Sequence, residues 1–527
     1  MIIQPQPLLF DRAFRRLQPL VEIGIVLGLS LFFGALAWKT VPAFFSVAFV
    51  ALTLTLIAWL VKPLAGLHLT IFFTLIGDTV TVGWFPFTKN FSSSESILFL
   101  ANQATFTPLE LVLAAACVSL ALWQVSAKRA PFVAGALLKP LMVFTVFVIL
   151  GLMLGVGTGG DLRAAIWEVR PFFYLPVVYI LATNLCRTAR HYRQVYWTAM
   201  VAITGQAILS LVYYSGLSVP EKDELESLIE HAAAIHINAL IMLMLISLLF
   251  KGCTAGMRAL LLLMAIPSVV VWIISQRRAA VIAIAVAFIL LMVVLRWRQR
   301  RTFRRFAPIA TIVIVGYLGA FWNAQSSVGF PAQAVKAVIS PDSVSETDRS
   351  SDLYRLIENY DLNFTIRSAP ILGLGFGQKF LRPIPLPDIS FFEFYEYIPH
   401  NSLLWVWVKT GFGGFVALLY LFGRSLMLGS NAIRKTTNGR DAAFLTMAVM
   451  YVAMYAVFTF VDIAWDARST VFLGLCMSAC VNYGAVMGQN TLSSRREKLD
   501  DPAGNGPAVR ADADAEQLTV DESTVTA

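Results

Sequence analysis

The chain alternates long apolar runs with short polar junctions, and most runs have the length of a bilayer-crossing helix, near 20 residues. In order they predict spans at roughly 21–38, 43–61, 64–84, 108–125, 140–157, 164–183, 195–216, 232–250, 259–274, 279–295, 307–324, 400–422, 442–462 and 468–488. The third run is broken by Asp78 and several threonines. No alternation at barrel spacing appears, so helices are the spanning element. The pattern predicts an all-α polytopic membrane protein of about 12–14 transmembrane helices with one large loop.

That loop, 325–399, is the most informative departure from the apolar pattern. It contains a charged, amphipathic segment from Arg349 to Tyr360, then Pro370 to Gly377 (PILGLGFG), then an aromatic, proline-broken stretch. It ends at His400-Asn401-Ser402, ahead of a glycine-rich return into membrane at Lys409 to Gly414. Ordering such a segment costs conformational entropy, and loops held on rigid scaffolds are where binding and chemistry are built.

Composition agrees with the pattern. The 527 residues are 57% hydrophobic and 14% charged, against roughly 25% charged in soluble domains. The formal net charge of +9 gathers in short junctions, which is the distribution of a membrane protein and not of a nucleic-acid binder. Arg12, Arg15 and Arg16, Lys128 and Arg129, Arg187, Arg190 and Arg193, the run Arg296 to Arg305, and Arg424 to Arg440 all fall on one side by parity. The positive-inside rule makes that side cytoplasmic and puts 85–107, 158–163, 217–231 and 325–399 on the outer side. The expected organisation is a cytoplasmic N-terminus (1–20), an N-terminal transmembrane bundle (21–324), a large periplasmic loop (325–399), C-terminal transmembrane helices (400–488) and a disordered cytoplasmic tail (489–527). The first apolar run reads as a retained helix and not as a cleaved signal. Cys117, Cys186, Cys253, Cys476 and Cys480 sit in or beside apolar runs, with neither metal spacing nor a disulfide framework. No internal repeat stands out, which disfavours transporters built from inverted halves.

Several residues break the charge rule. Arg277 and Arg278 follow Ser275-Gln276 at a tight junction on the expected outer side. A bound anion would explain them, because guanidinium forks match phosphate oxygens; snorkelling to lipid headgroups is the alternative. Arg170 is a second outer arginine, with a local ion pair to Glu168 or Asp161 as its alternative reading. His400 stands where the loop re-enters the membrane and can carry a proton near neutral pH. Asn401 and Ser402 suit a helix N-cap or a polar site. Arg349, Asp352, Arg355 and Glu358 recur every third residue and share one helical face, an arrangement usual for a solvated surface. Gly373, Gly375 and Gly377 allow close backbone approach, without a strand–helix phosphate loop around them. His231 and His236 flank the start of a span and read as structural.

Taken in order, Ser275-Gln276-Arg277-Arg278-Ala279, then Arg355 before Pro370-Ile371-Leu372-Gly373-Leu374-Gly375, then His400-Asn401-Ser402-Leu403 leading to Thr410-Gly411, resemble the O-antigen ligase / O-antigen polymerase superfamily. That family runs serine–x–arginine–glycine, then arginine before proline-leucine-glycine-x-glycine, then histidine-asparagine. The resemblance covers roughly 230–490 by motif and the whole chain by topology. This sequence departs in its doubled arginine, in Ala279 where glycine is usual, and in Asn359 where tryptophan is frequent. Spacing favours Arg278 as the family arginine, with Arg277 as runner-up.

The resemblance implies a GT-C-like glycosyltransferase of the bacterial inner membrane, multi-pass, with both termini cytoplasmic and its site on the periplasmic face. The implied reaction moves a glycan from a polyprenyl-diphosphate lipid to an acceptor hydroxyl, without metal, cofactor or sugar nucleotide. His400, Arg278 and Arg355 would be catalytic; Arg277, Arg170, Arg349, Gly373, Gly375 and Asn401 would bind substrate. The implied partners are the lipid-linked donor, a glycan or lipid acceptor and membrane lipids, in O-antigen or exopolysaccharide assembly. Chain polymerisation is slightly favoured; ligation to lipid A core or a protein, and a lipid-linked glycan transporter, are the alternatives. A transporter should place its ionisable residues along a midplane path, whereas here they gather at the outer ends of spans.

Overall fold

The computed structural model describes residues 43–78, 80, 87, 89–92, 105–126, 132–225, 227–324, 326–340, 346–387 and 394–499. The expected span at 21–38 and the 500–527 part of the expected tail lie outside the described residues. In chain order the helices are α1 (Ala43–Val61), α2 (Pro63–Ile76), α3 (Pro108–Ser126), α4 (Leu138–Gly157), α5 (Leu162–Leu185), α6 (Ala189–Gly216), α7 (Val219–Glu224), α8 (Ala233–Leu249), α9 (Ala255–Ser275), α10 (Arg278–Arg298), α11 (Arg300–Phe321), α12 (Phe330–Ile339), α13 (Glu346–Ser368), α14 (Ser402–Lys435), α15 (Gly439–Val461) and α16 (Ala467–Leu499). There is no strand among the described residues. Nine of the described helices are long and apolar enough to cross a bilayer, and three shorter apolar stretches fall in α1, α2 and α8. The chain is an all-α polytopic membrane protein.

Three boundaries differ from the pattern for identifiable reasons. The span expected at 64–84 stops at Ile76, because Gly77 turns to extended backbone and the buried Asp78 side chain accepts from Gln206 Nε2 (3.0 Å) and Glu230 N (3.2 Å). The span expected at 400–422 continues to Lys435 in α14, interrupted at Gly411 with φ +68°. The N–H of Phe412, freed by that break, donates to the carbonyls of Pro370 and Ile371 at 3.1 and 3.2 Å. The polar residues 489–499, expected in the tail, extend α16 to Leu499; Gln, Arg, Glu, Lys and Leu are good helix formers, so polarity alone did not end the helix.

α5, α15 and α16 form the buried centre: α16 packs along α5, and α15 packs on α10, α14 and α16. At one end, hereafter the site end, lies a cluster of rings. Phe172 of α5 stands 4.3 Å from Trp465, 5.5 Å from Trp405 and 5.7 Å from Phe376 between ring centroids. It ties the start of α14, the α15–α16 junction and the loop glycines to one anchor. A buried ion pair sits beside it. Lys409 Nζ lies 2.8 Å from Glu168 Oε1, and the other carboxylate oxygen accepts from Gly377 N at 2.6 Å. By contrast α11 buries no residue; its Ile309, Ile312, Val313 and Val315 are exposed and suit lipid contact.

The 325–399 loop is an ordered cover over its described parts. One stripe of α13 carries Asp352, Arg355 and Glu358, then Leu362 and Ile366, at helical spacing. The apolar half packs with Val408 and Phe380. That contact lays the charged half over the site end. Behind α13, the glycine string closes backbone to backbone: Leu374 N donates to Val408 O (2.7 Å), Phe376 N to Gly151 O (3.1 Å), and Gly377 O accepts from Asp161 N (2.8 Å).

Candidate functional site

The α9–α10 hairpin presents the first arginines. α9 ends on Gln276 in the left-handed region (φ 47°), the conformation that closes a helix C-terminus, usually on glycine. The chain therefore reverses within two residues and sets Arg277 and Arg278 at the mouth of α10. Arg278 grips Asp352 of α13 with both ends of its fork: Nη1 to Oδ2 at 3.0 Å and Nη2 to Oδ1 at 2.9 Å. Arg277 donates to Ile229 O at 3.2 Å, and its Nη1 lies 3.5 and 3.4 Å from Nδ1 and Nε2 of His231.

His400 is fixed by a carboxylate. Glu358 accepts the His400 backbone N–H on Oε2 (2.9 Å) and faces ring Nδ1 with Oε1 (3.2 Å). A neutral imidazole donating from Nδ1 leaves Nε2 as its acceptor. Tyr354, one turn earlier on α13, sets its ring edge-on at 5.5 Å. Burial first, and then the Glu358 charge, push its phenol well above the usual range, so it stays protonated. Its hydroxyl has no hydrogen-bond partner among the described residues. A buried unpaired donor costs about 1–3 kcal/mol, and a substrate oxygen would satisfy it.

A second carboxylate–histidine pair faces the first. Asp462 caps α15 and is buried. Its Oδ1 lies 2.9 Å from His231 Nδ1, and its Oδ2 lies 4.0 Å from Arg355 Nη2. Burial alone would raise this carboxyl; His231, then Arg355 and His400, outweigh burial and hold it below the usual carboxylate range. The rings of His231 and His400 stand 6.4 Å apart.

The structure thus brings together Arg277, Arg278, Arg355 and His400, and gives the other sequence candidates partners within the protein or leaves them exposed. Arg170 is held by Glu110 (3.1 Å), Asn90 and Thr105, not by Glu168 or Asp161. Arg349 is exposed near the start of α13. Asn401 caps α14, accepting from Leu404 N at 3.1 Å and donating to Asn359 Oδ1 at 2.9 Å. Gly373 and Gly375, at φ +72° and +85°, face the protein's own backbone: a Cβ on Gly375 would lie 2.3 Å from Gly155 N. Sequence reasoning missed Asp462 and gave His231, Asp352 and Glu358 bland roles. One signal was present: Asp462, Asp466 and Arg468 crowd a junction between apolar runs on the same side as Arg277 and Arg278.

Comparison with known proteins bears on this end of the molecule. Residues 259–419 match the family model described as O-Antigen ligase. The chain is also similar to an O-antigen ligase of Salmonella typhimurium (strain LT2), at 28% identity over 185 residues, 31% of this chain and 46% of that relative. The chain thus spans less than half the length of the relative it matches. The family match includes Arg277, Arg278, Arg355, Glu358 and His400; His231 and Asp462 lie outside it.

Proposed function

We propose that this chain, a member of the O-antigen ligase/polymerase superfamily by its match over residues 259–419, transfers a glycan from a polyprenyl-diphosphate lipid to an acceptor hydroxyl at the periplasmic face of the bacterial inner membrane. The observation that carries the reading is the convergence of Arg277, Arg278 and Arg355, from two separate segments, around the His400–Glu358 pair.

The chemistry follows from that grouping. The acceptor oxygen forms a bond to the anomeric carbon as the bond from that carbon to the diphosphate breaks. His400 Nε2 takes the hydroxyl proton while Glu358 holds the ring and favours the imidazolium. Arginines preorganised around the leaving diphosphate stabilise the charge that develops on it. The carboxylate of Asp352 fills the fork of Arg278 with the geometry a phosphate would take. The charged half of α13 covers the reaction, and the spans hold the lipid tail. In this reading the N- and C-termini are cytoplasmic, and neither metal nor cofactor takes part.

Ligation is the first reading for the acceptor, because both matched descriptions are of O-antigen ligases. Chain extension is the second; Asn359, bonded to Asn401 where the family frequently has tryptophan, favours neither acceptor. The test is purified protein with a synthetic polyprenyl-diphosphate oligosaccharide, offered a second donor molecule or lipid A core, with chelator present. Product mass separates polymer from ligated acceptor. Specific binding of the lipid diphosphate with no glycan moved to any acceptor would favour the transporter alternative.

A further inference from the structure

Glycosyl transfer to an alcohol needs one base, yet this site holds two histidines, each on its own carboxylate. His231 lies outside the family-matched stretch, and its placement is elaborate for a residue that merely precedes a helix. The short segment bearing it is fastened on both sides. Ser227 Oγ contacts Ile229 O (2.9 Å) and Ser275 O (3.2 Å). The N–H of Glu230 donates to Asp78, and the Glu230 carboxylate pairs with Arg468. Arg468 in turn contacts Asp78 Oδ2 (3.2 Å) and Asp466 Oδ2 (3.4 Å) and donates to Gly77 O (2.6 Å). Three segments distant in sequence thus hold the short segment that bears the imidazole. That is the degree of support a reacting side chain needs. Yet the His231 side chain stays 37% exposed, so packing does not explain the support.

We infer that His231 is a second catalytic residue, the acid that serves the departing diphosphate, with Asp462 as its positioning residue. The inference rests on the glycosyl-transfer reading above. Asp462 engages Nδ1, and Arg277 Nη1, which can only donate, lies 3.4 Å from Nε2; once the donor diphosphate draws Arg277 off the ring, Nε2 is the nitrogen that carries the transferable proton. Arg277, beside the ring, belongs to the anion-binding hairpin and marks this side as that of the leaving group. As the carbon–oxygen bond to the diphosphate breaks, its electron pair stays on the phosphate oxygen, which takes the proton from His231 Nε2. The acceptor hydroxyl gives its proton to His400 as its oxygen bonds to the anomeric carbon. The two transfers balance: one proton enters at His400 and one leaves at His231, and solvent returns the pair to its starting state. The two ring centroids stand 6.4 Å apart, close enough for both imidazoles to serve one reacting centre. The charged and titratable groups facing His231 are Asp462 from the end of α15, Arg277 from the hairpin, His400 from the start of α14, and Arg355 from α13 through Asp462.

The experiment is the pH dependence of kcat/KM for wild type, His231→Gln and Asp462→Asn, with a synthetic lipid-diphosphate donor. Wild type should show a bell, falling at low pH as the base is protonated and at high pH as the acid loses its proton. His231→Gln should lose the high-pH limb, keep the low-pH limb, and fall about 100-fold or more in kcat with donor KM little changed. Asp462→Asn should move the high-pH limb, because the carboxylate that faces Nδ1 is neutralised. A merely structural role would lower active protein without moving a limb. His231→Gln with both limbs and a wild-type kcat overturns the inference and leaves the glycosyl-transfer reading standing. If His231→Gln fails to fold, an Asp462→Asn profile with an unshifted limb overturns it equally. Wild type that transfers no glycan overturns the parent reading, and the inference with it.

Discussion

A single carboxylate, Glu358, holds His400 at two points, its backbone N–H (2.9 Å) and its ring Nδ1 (3.2 Å). Two contacts of different kind on one residue are separable by substitution. Glu358→Gln keeps a backbone acceptor but removes the charge that favours the imidazolium; Glu358→Ala removes both. We expect kcat to fall about 100-fold in Glu358→Gln and further in Glu358→Ala, with His400→Ala at least as low. Steady-state kinetics on detergent-purified protein of confirmed fold checks the order. Wild-type kcat in Glu358→Gln would remove the carboxylate from the account.

Asp352 occupies both arms of Arg278, so donor binding must displace it. Asp352→Asn keeps the shape and weakens the competitor. The expected outcome is a lower KM for the lipid-diphosphate donor, by a few-fold, with kcat unchanged or reduced. Arg278→Lys, which retains charge but not the fork, should raise donor KM and lower kcat together. Equal donor affinity in all three proteins would show that Arg278 does not meet the diphosphate.

Lys409 and Glu168 are both fully buried and 2.8 Å apart. Removing one partner strands a charge, so Lys409→Met should destabilise by about 3–5 kcal/mol. Lys409→Met combined with Glu168→Gln should recover much of that loss, because neither charge then remains. Thermal unfolding of the two single variants and the double variant gives the coupling directly. An additive double variant would mean that the pair is not a unit.

Asp466 gives a pH signature. It caps α16, accepting from Arg468 N (3.2 Å) and Ser469 N (3.3 Å). Burial, opposed by these hydrogen bonds, pushes its carboxyl from 3.8 up to about 6. The folded value lies above the unfolded one, so this group favours the fold fully below 3.8 and the contribution is lost as pH rises through about 6. Asp466→Asn retains the cap oxygen and removes the titration. It should unfold at higher temperature than wild type near about pH 8, with little difference near about pH 4. A lower unfolding temperature at the higher pH would show that the contact to Arg468 outweighs burial.

The nine candidate spans among the described residues were legible because each contains a long apolar run. Their ends were less so: Gly77 and Gly411 stop helices through backbone conformation, which hydropathy does not register. At the site, Arg277 and Arg278 were legible because two adjacent arginines at a short outer junction violate the charge rule. His400 was legible by its place at the end of the loop. Asp352 and Glu358 looked like a solvated face, since i, i+3 spacing says which residues share a face and not what that face meets. Leu362 and Ile366, by docking α13 on α14, decide that. His231 and Asp462 are 231 residues apart in the chain, and only the fold makes them a pair. Arg170 was anomalous for the same reason as Arg277, and its explanation, Glu110, lies 60 residues before it.

The most direct test of the account is the release of free polyprenyl diphosphate from a glycan-loaded donor in the presence of acceptor, comparing wild type with folded Arg278→Ala and His400→Ala. The account predicts release in step with glycan transfer for wild type, and a loss of about 100-fold or more in each variant. Release and transfer at the wild-type rate in both variants would contradict it.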